Sequence, residues 1–248
     1  MFRKFFALSI IAIAILTVAC APAPTPAPVV QTVVVQQTVV VPQTVVVTAV
    51  PAATATAAPT ATSAVPTIPA SVAVTLDVKT TALLILDITS VVCTPRKTCV
   101  ASLPALTAFL KKARDAKVPV VYSDTATAGS TILPEVAQLP DEPKVTARAD
   151  KFFGTTLDDI LKAKGVKTAV IVGSASNGAV LYTSFGANLR GYTVVVAEDG
   201  ISTDDVFAQF LTRYQLLNQP GFTNAQNTPP QEGRVAVTLS RTDLIAFK

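Results

Sequence analysis

From residue 77 onward the chain alternates between two hydrophobic rhythms. Continuous apolar runs of five or six residues recur: Thr81–Leu86 (TALLIL), Val118–Tyr122 (VPVVY), Thr168–Val172 (TAVIV) and Thr193–Ala197 (TVVVA). Such runs, rich in β-branched residues and bounded by Asp or Gly, predict strands buried on both faces. Val235–Leu239 is a candidate last strand, with Thr242–Ala246 as a short turn or extension. Between the runs the apolar spacing becomes helical. Leu103–Ala116 places Leu103, Leu106, Leu110 and Ala113 on one face, with Ser102 as the expected cap and Pro104 in the first turn. Helices are also predicted over Thr155–Ala163, stopped at Gly165, over Gly178–Leu189, ended by Gly191, and over Thr203–Leu217. Strands alternating with helices imply right-handed crossovers and a mostly parallel sheet covered on both sides. Ligands in such sheets sit beyond the carboxyl ends of the strands. Those ends carry Asp87, Ser123–Asp124, Gly173–Asn177 and Glu198–Asp199.

The first 76 residues follow neither rhythm. Of the 248 residues, none between Cys20 and Leu76 is charged, and every base except Arg3 and Lys4 lies beyond them. Residues 1–20 read as an export signal: two bases, an apolar stretch Phe5–Val18, then Ala19-Cys20. The stretch suits a signal peptide better than a spanning helix. A small residue before a lone cysteine resembles a bacterial lipobox, although Thr17 stands where Leu is usual. A diacylglyceryl group on Cys20 would hold the exported chain on the outer face of a membrane; a plain secretory signal or an uncleaved anchor are the alternatives. Residues 21–71 form a low-complexity Pro/Thr/Val/Ala linker with a thrice-repeated unit, QTVVVQ, QTVVVP and QTVVVT, at residues 31–48. Three short copies cannot build a solenoid, and Pro42, Pro51, Pro59, Pro66 and Pro69 favour an extended stalk. Residues 72–248 remain for one domain, enough to bury a sizeable core.

Composition narrows the chemistry. The net charge of +4 falls to +2 without Arg3 and Lys4, and no Lys/Arg run marks a nucleic-acid surface. There is no histidine, which excludes Ser-His-Asp and Cys-His catalytic pairs and every His-based zinc site. No cofactor or metal is expected. Asp87 ends an apolar strand, where partial desolvation suits a general base; capping a turn is its other reading. The turn Gly173-Ser-Ala-Ser-Asn-Gly178 joins a strand to a helix. Its backbone N–H groups could cradle an anion, or Ser176 or Asn177 could simply cap the helix. Cys93 and Cys99 form an even pair in an exported chain and read first as a disulfide, with a reactive thiol as the alternative. Lys144, Arg148 and Lys151 form either a solvated basic edge or a source of a cation for Asp87.

Together these segments resemble the isochorismatase-like cysteine hydrolases over about residues 80–240. The resemblance is carried by Ala82–Asp87 (ALLILD), Lys117–Tyr122 (KVPVVY), Asp150–Leu157 (DKFFGTTL), Thr168–Gly173 (TAVIVG), Ala179–Thr183 (AVLYT) and Arg190–Val196 (RGYTVVV) before Asp199. It implies a three-layer α/β/α sandwich, Rossmann-like, with a mostly parallel sheet. It also implies hydrolysis of C–N or enol-ether C–O bonds in small molecules, commonly by oligomers. The family site is an Asp, a Lys and a nucleophilic Cys. The Asp carries over onto Asp87. Aligning Val180 and Thr183 puts the Cys position at Ala179. The Lys position falls on Thr146, leaving Lys151 as the substitute. The resemblance thus implies a crevice lined by Ser174, Ser176, Asn177, Gly178 and Ala179, binding a small carbonyl or carboxylate compound without the thiol route. A hydrolase using Asp87 to activate water, and a structural or partner-binding surface domain, are the competing expectations.

Overall fold

The computed structural model describes residues 65–248. The expected signal, Cys20 and the repeat lie outside the described residues. The elements are β1 (Val74–Leu76), β2 (Thr81–Leu86), α1 (Lys97–Asp115), β3 (Val120–Asp124), β4 (Lys144–Thr146), α2 (Leu157–Ala163), β5 (Thr168–Ser174), α3 (Leu181–Leu189), β6 (Thr193–Ser202), α4 (Val206–Leu217), β7 (Val237–Ser240) and β8 (Ile245–Phe247). A π-helical turn, Ser176–Val180, precedes α3. Six strands form one parallel sheet in the order β4-β3-β2-β5-β6-β7. β1 and β8 make a separate parallel pair, Val74 opposite Ile245.

Each long strand is buried on both faces, and the two faces feed two cores. Leu83 and Ile85 of β2, Val170 and Val172 of β5, and Val195 and Ala197 of β6 pack beneath α1, against Leu103, Leu106, Phe109 and Ala113. The alternate residues Leu84, Leu86, Ile171, Val194 and Val196 pack against Leu157 and Leu161 of α2, Ala187 of α3, and Leu216 and Leu217 of α4. That two-residue alternation inside an unbroken apolar run distinguishes a doubly covered strand from a helix. The β1–β8 pair closes the α1 side, where Phe247 stacks on Phe109 with ring centroids 5.9 Å apart. The docked chain starts ahead of β1: Ile68 packs against the core, and the Ala70 carbonyl accepts a hydrogen bond from Asn227 Nδ2.

Several element ends differ from the sequence reading. α1 begins six residues before the predicted start, so Ser102 is no cap. It lies inside the helix and donates to the Cys99 carbonyl, and Pro104 is interior. The cap comes from across the molecule: the Asp204 carboxylate accepts the N–H groups of Lys97 and Thr98 and the Thr98 hydroxyl, at 3.2, 3.0 and 2.7 Å. These bonds hold the Asp204 carboxyl below its ordinary value. β6 runs on to Ser202, through a register shift against β5 between Ile171 and Gly173. Glu198 and Asp199 therefore lie within the strand. Glu198 pairs with Arg213 of α4 at 2.7 Å, and Asp199 holds the N–H and hydroxyl of Thr242. The Thr203–Leu217 helix starts at Val206, where Asp205 accepts from the Ala208 N–H. β1 and β4 have no counterpart in the sequence reading.

Numbered from β2, the sheet order is the doubly wound 3-2-1-4-5-6, which reverses direction between β2 and β5. Ligand crevices in such folds open at that reversal. There the chain places Asp87 after β2 and Gly173–Ser174 at the end of β5.

Candidate functional site

Asp87 follows the last residue of β2 and takes a left-handed backbone conformation (φ +54°), uncommon for a residue with a side chain but tolerated by Asp. Its N–H donates to the Ser123 carbonyl of β3, and its own carbonyl accepts from Thr89. The neighbouring strand needs glycine at the matching height. Gly173 has φ +142°, and a Cβ there would stand 2.1 Å from the Leu86 carbonyl oxygen. Close β2–β5 packing just ahead of Asp87 therefore depends on a bare backbone.

Asp87 is only about 2% exposed, yet its carboxylate is matched at both oxygens. Oδ1 accepts from the Ser123 hydroxyl at 2.7 Å, and Oδ2 lies 2.7 Å from the Lys151 ammonium. Lys151 is fully buried and also donates to the carbonyls of Ala147 (2.7 Å) and Arg148 (2.8 Å). An ammonium has three donors, and all three are engaged. Burial raises the Asp87 carboxyl above its ordinary value, outweighing the opposing pull of Lys151 and Ser123, and nearby Asp124 adds to the rise.

Lys151 sits in the β4–α2 connection and is held by α3. The Thr183 hydroxyl accepts the Lys151 N–H at 3.1 Å and donates to the Ala149 carbonyl at 3.4 Å. Gly186 lets the segment approach, since a Cβ there would meet an Asp150 carboxylate oxygen at 2.6 Å. Asp150 in turn accepts the Phe152 N–H, and Phe152 stacks on Tyr192 beneath the Arg190 guanidinium. Of the three bases proposed as the cation near Asp87, Lys151 is the one that reaches it. Lys144 lies 3.9 Å from Asp124, and Arg148 is exposed. Thr146 is exposed on β4.

The glycine turn folds on itself. The N–H groups of Gly178 and Val180 donate to the Ala175 carbonyl and so are not free to cradle an anion. Ser176 caps no helix; its hydroxyl donates to Gln209 Oε1 of α4 at 2.8 Å. Ser174 is buried, and its hydroxyl has no partner among the described residues. Asn177 is exposed, Gly178 half-buried and Ala179 buried at about 4% exposure. Cys93 and Cys99 are joined in a disulfide with Cα atoms 5.2 Å apart, tying the turn after Thr89 to the first turn of α1. A cavity of about 510 Å³ opens beside the segment that supports Lys151, lined by Thr125, Ala126, Thr127, Arg148 and Ala149. Among the described residues no three Cys, Asp or Glu side chains gather as a metal site. Sequence reasoning marked Ser123 only as a strand end and used Thr183 only to align a motif. The position of Ser123 beside β2 was its signal, whereas nothing in the sequence pointed to the carbonyls of Ala147 and Arg148.

Chemically, the arrangement offers a buried, relatively basic carboxylate, a fully engaged lysine, and an adjoining cavity with one exposed guanidinium. The fold and its relatives agree. The model of the isochorismatase domain matches residues 81–212. A secreted isochorismatase effector of Verticillium dahliae is 33% identical over 118 residues, which cover 43% of this chain and 62% of that protein. This chain therefore spans less than two thirds of that relative. An isochorismatase family protein from Burkholderia thailandensis superposes with a TM-score of 0.57 at 22% identity, over 70% of this chain and 96% of that one. N-carbamoylsarcosine amidase from Thermoplasma acidophilum does so with a TM-score of 0.52 at 20% identity, over 66% and 97%. With the family model spanning more than half of the sequence and the doubly wound sheet beneath it, the chain belongs to the isochorismatase family.

Proposed function

We propose that this is an exported isochorismatase-family domain, held at the outer face of a bacterial membrane through lipidated Cys20, that binds a small carbonyl or carboxylate compound and does not cleave it by the thiol route. The observation that carries the reading is the state of the groups around Asp87. The family's cysteine position aligns with Ala179, which offers only a methyl group, and the domain's two cysteines are tied to each other. Lys151 has no ammonium proton left to give without breaking a contact. That set holds no thiol that could add to a carbonyl and form the family's covalent intermediate. Binding remains supported: the cavity of about 510 Å³ falls in the range of small-molecule sites, and Arg148 on its rim suits a carboxylate.

A second reading has one observation in its favour. The raised Asp87 carboxyl is a better base than an ordinary aspartate, so it could activate a water toward a C–N or C–O bond. The two readings separate when the full-length protein is assayed against a panel of small amides and esters, with Asp87→Asn as control. The binding reading expects no rate above the buffer blank and saturable binding of carboxylate compounds that Arg148→Ala weakens. A rate that Asp87→Asn abolishes replaces it with the water-activating hydrolase. A rate indifferent to Asp87→Asn removes Asp87 from the site altogether.

A further inference from the structure

A groove of about 380 Å³ runs between α3 and α4 and shares no lining residue with the cavity beside Arg148. Tyr182, Phe185 and Leu211 form much of its wall, and Gln215 adds a polar fringe. The groove lies within a wider exposed face. On α3, Tyr182, Phe185 and Leu189 recur at helical spacing and stand 53%, 38% and 61% exposed. On α4, Phe207 and Leu211 are one turn apart and stand 69% and 44% exposed. α3 carries no charged residue, and the one on α4, Arg213, is paired with Glu198 of β6 at 2.7 Å. The other sides of the same two helices support the turns around the site: the Thr183 hydroxyl accepts the Lys151 N–H, and Gln209 accepts from the Ser176 hydroxyl.

We propose that this face pairs with the same face of a second copy in a twofold dimer, the exposed Phe207 of each copy filling the α3–α4 groove of the other. Area is the first argument. With roughly 200 Å² for a large side chain, the five exposures amount to roughly 500 Å² of apolar surface per copy. A contiguous patch of that size stands at the upper end of what a monomer exposes and marks an interaction surface. Two copies together reach the roughly 1,000 Å² that a specific interface needs. Charge is the second argument. A twofold contact brings a patch onto itself, so any free charge near its axis would meet its like; this face has none to repel. A lipid surface is the poorer match, because a membrane-binding helix face is flanked by free lysines or arginines, and neither helix supplies one. The shape fits as well: an aromatic anchor beside a groove is how the centre of an interface is built.

The test uses the full-length protein in a mild detergent, with micelles in large excess over chains so that a shared micelle does not pair them. Native mass spectrometry across a concentration series reads the oligomeric state. A monomer–dimer equilibrium in the micromolar range is expected, since an interface of this size is modest. Phe207→Glu should weaken it about a hundredfold, because the groove would have to bury an unpaired carboxylate. Val100→Glu, at an exposed apolar position on α1 across the sheet, should leave it unchanged. The parent's melting temperature should rise with protein concentration by mass action, that of Phe207→Glu should not, and the two should agree in the dilute limit, which separates lost pairing from lost structure. If Phe207→Glu melts lower even there, Tyr182→Glu on α3 takes its place, with the same loss of dimer expected. A chain that stays monomeric at the highest concentration, a dimer that tolerates the substitution on this face, or one that Val100→Glu weakens equally overturns the proposal.

Discussion

Asp87 and Lys151 illustrate how much of a site is set by partners rather than by residue type. A buried ion pair is weak evidence for stability, but removing one member is costly, about 3–5 kcal/mol, because it strands the other. Lys151→Met is therefore expected to lower unfolding free energy by that order near neutral pH, read by urea denaturation. The deficit should shrink in acid, where the stranded Asp87 carboxyl takes up a proton. The native protein has its own dependence. The folded Asp87 pKa is raised, so this group's stabilising contribution is fully present below the unfolded value of about 4 and is lost as pH rises through the folded value. Compared with Asp87→Asn, the native protein should lose melting temperature on going from pH 4.5 to 8; a relative gain would contradict the assigned direction. Asp87 was legible in the sequence because an acid that ends an all-apolar run stands out. Lys151 was one of three neighbouring bases, and only the path of the β4–α2 connection, held by Thr183 and Gly186, decides among them.

At the scale of elements, β2 was read to the residue, since burial on both faces writes an unbroken apolar run. α1 was not. Its cap, Asp204, lies 106 positions away from Thr98, its first turn is tied to the preceding loop by a disulfide, and its proline is tolerated inside. Only the disulfide was legible, from the paired cysteines; no local pattern carries the cap or the interior proline. β4 is three residues long with one buried side chain, too short to show a period, and β1 lies in the uncharged stretch just ahead of Asp77, where no strand rhythm shows. The disulfide should matter to α1. A Cys93→Ala, Cys99→Ala variant is expected to lose about 2–3 kcal/mol, with early amide exchange in residues 89–103; unchanged exchange there would show that Asp204 alone fixes the helix start. Gly173→Ala should be more damaging than its single methyl suggests, because the methyl collides with the Leu86 carbonyl. Its far-UV spectrum should survive while its melting temperature falls by several degrees, and an unchanged melting temperature would disprove the close β2–β5 packing.

For the molecule as a whole, the strand order brings β2 and β5 together at the reversal of the sheet, with β3 and β4 beside β2, so Asp87, the Lys151 segment and the cavity lined by Thr125 and Arg148 all lie past the ends of neighbouring strands. The doubly wound class was legible because helical and strand rhythms alternate; the strand order was not, because rhythm says nothing about which strands are neighbours. The tether is a separate claim with its own test. Cys20→Ser should move the chain from the membrane fraction to the soluble one, and retention would replace the lipid anchor with an uncleaved signal. The central claim, a family fold whose thiol route is absent, is tested most directly by hydrolysis rates on small amides and esters before and after reduction of Cys93–Cys99. The account predicts rates at the buffer blank in both states. Turnover that appears on reduction and is blocked by iodoacetamide would place a working thiol in the site and contradict it.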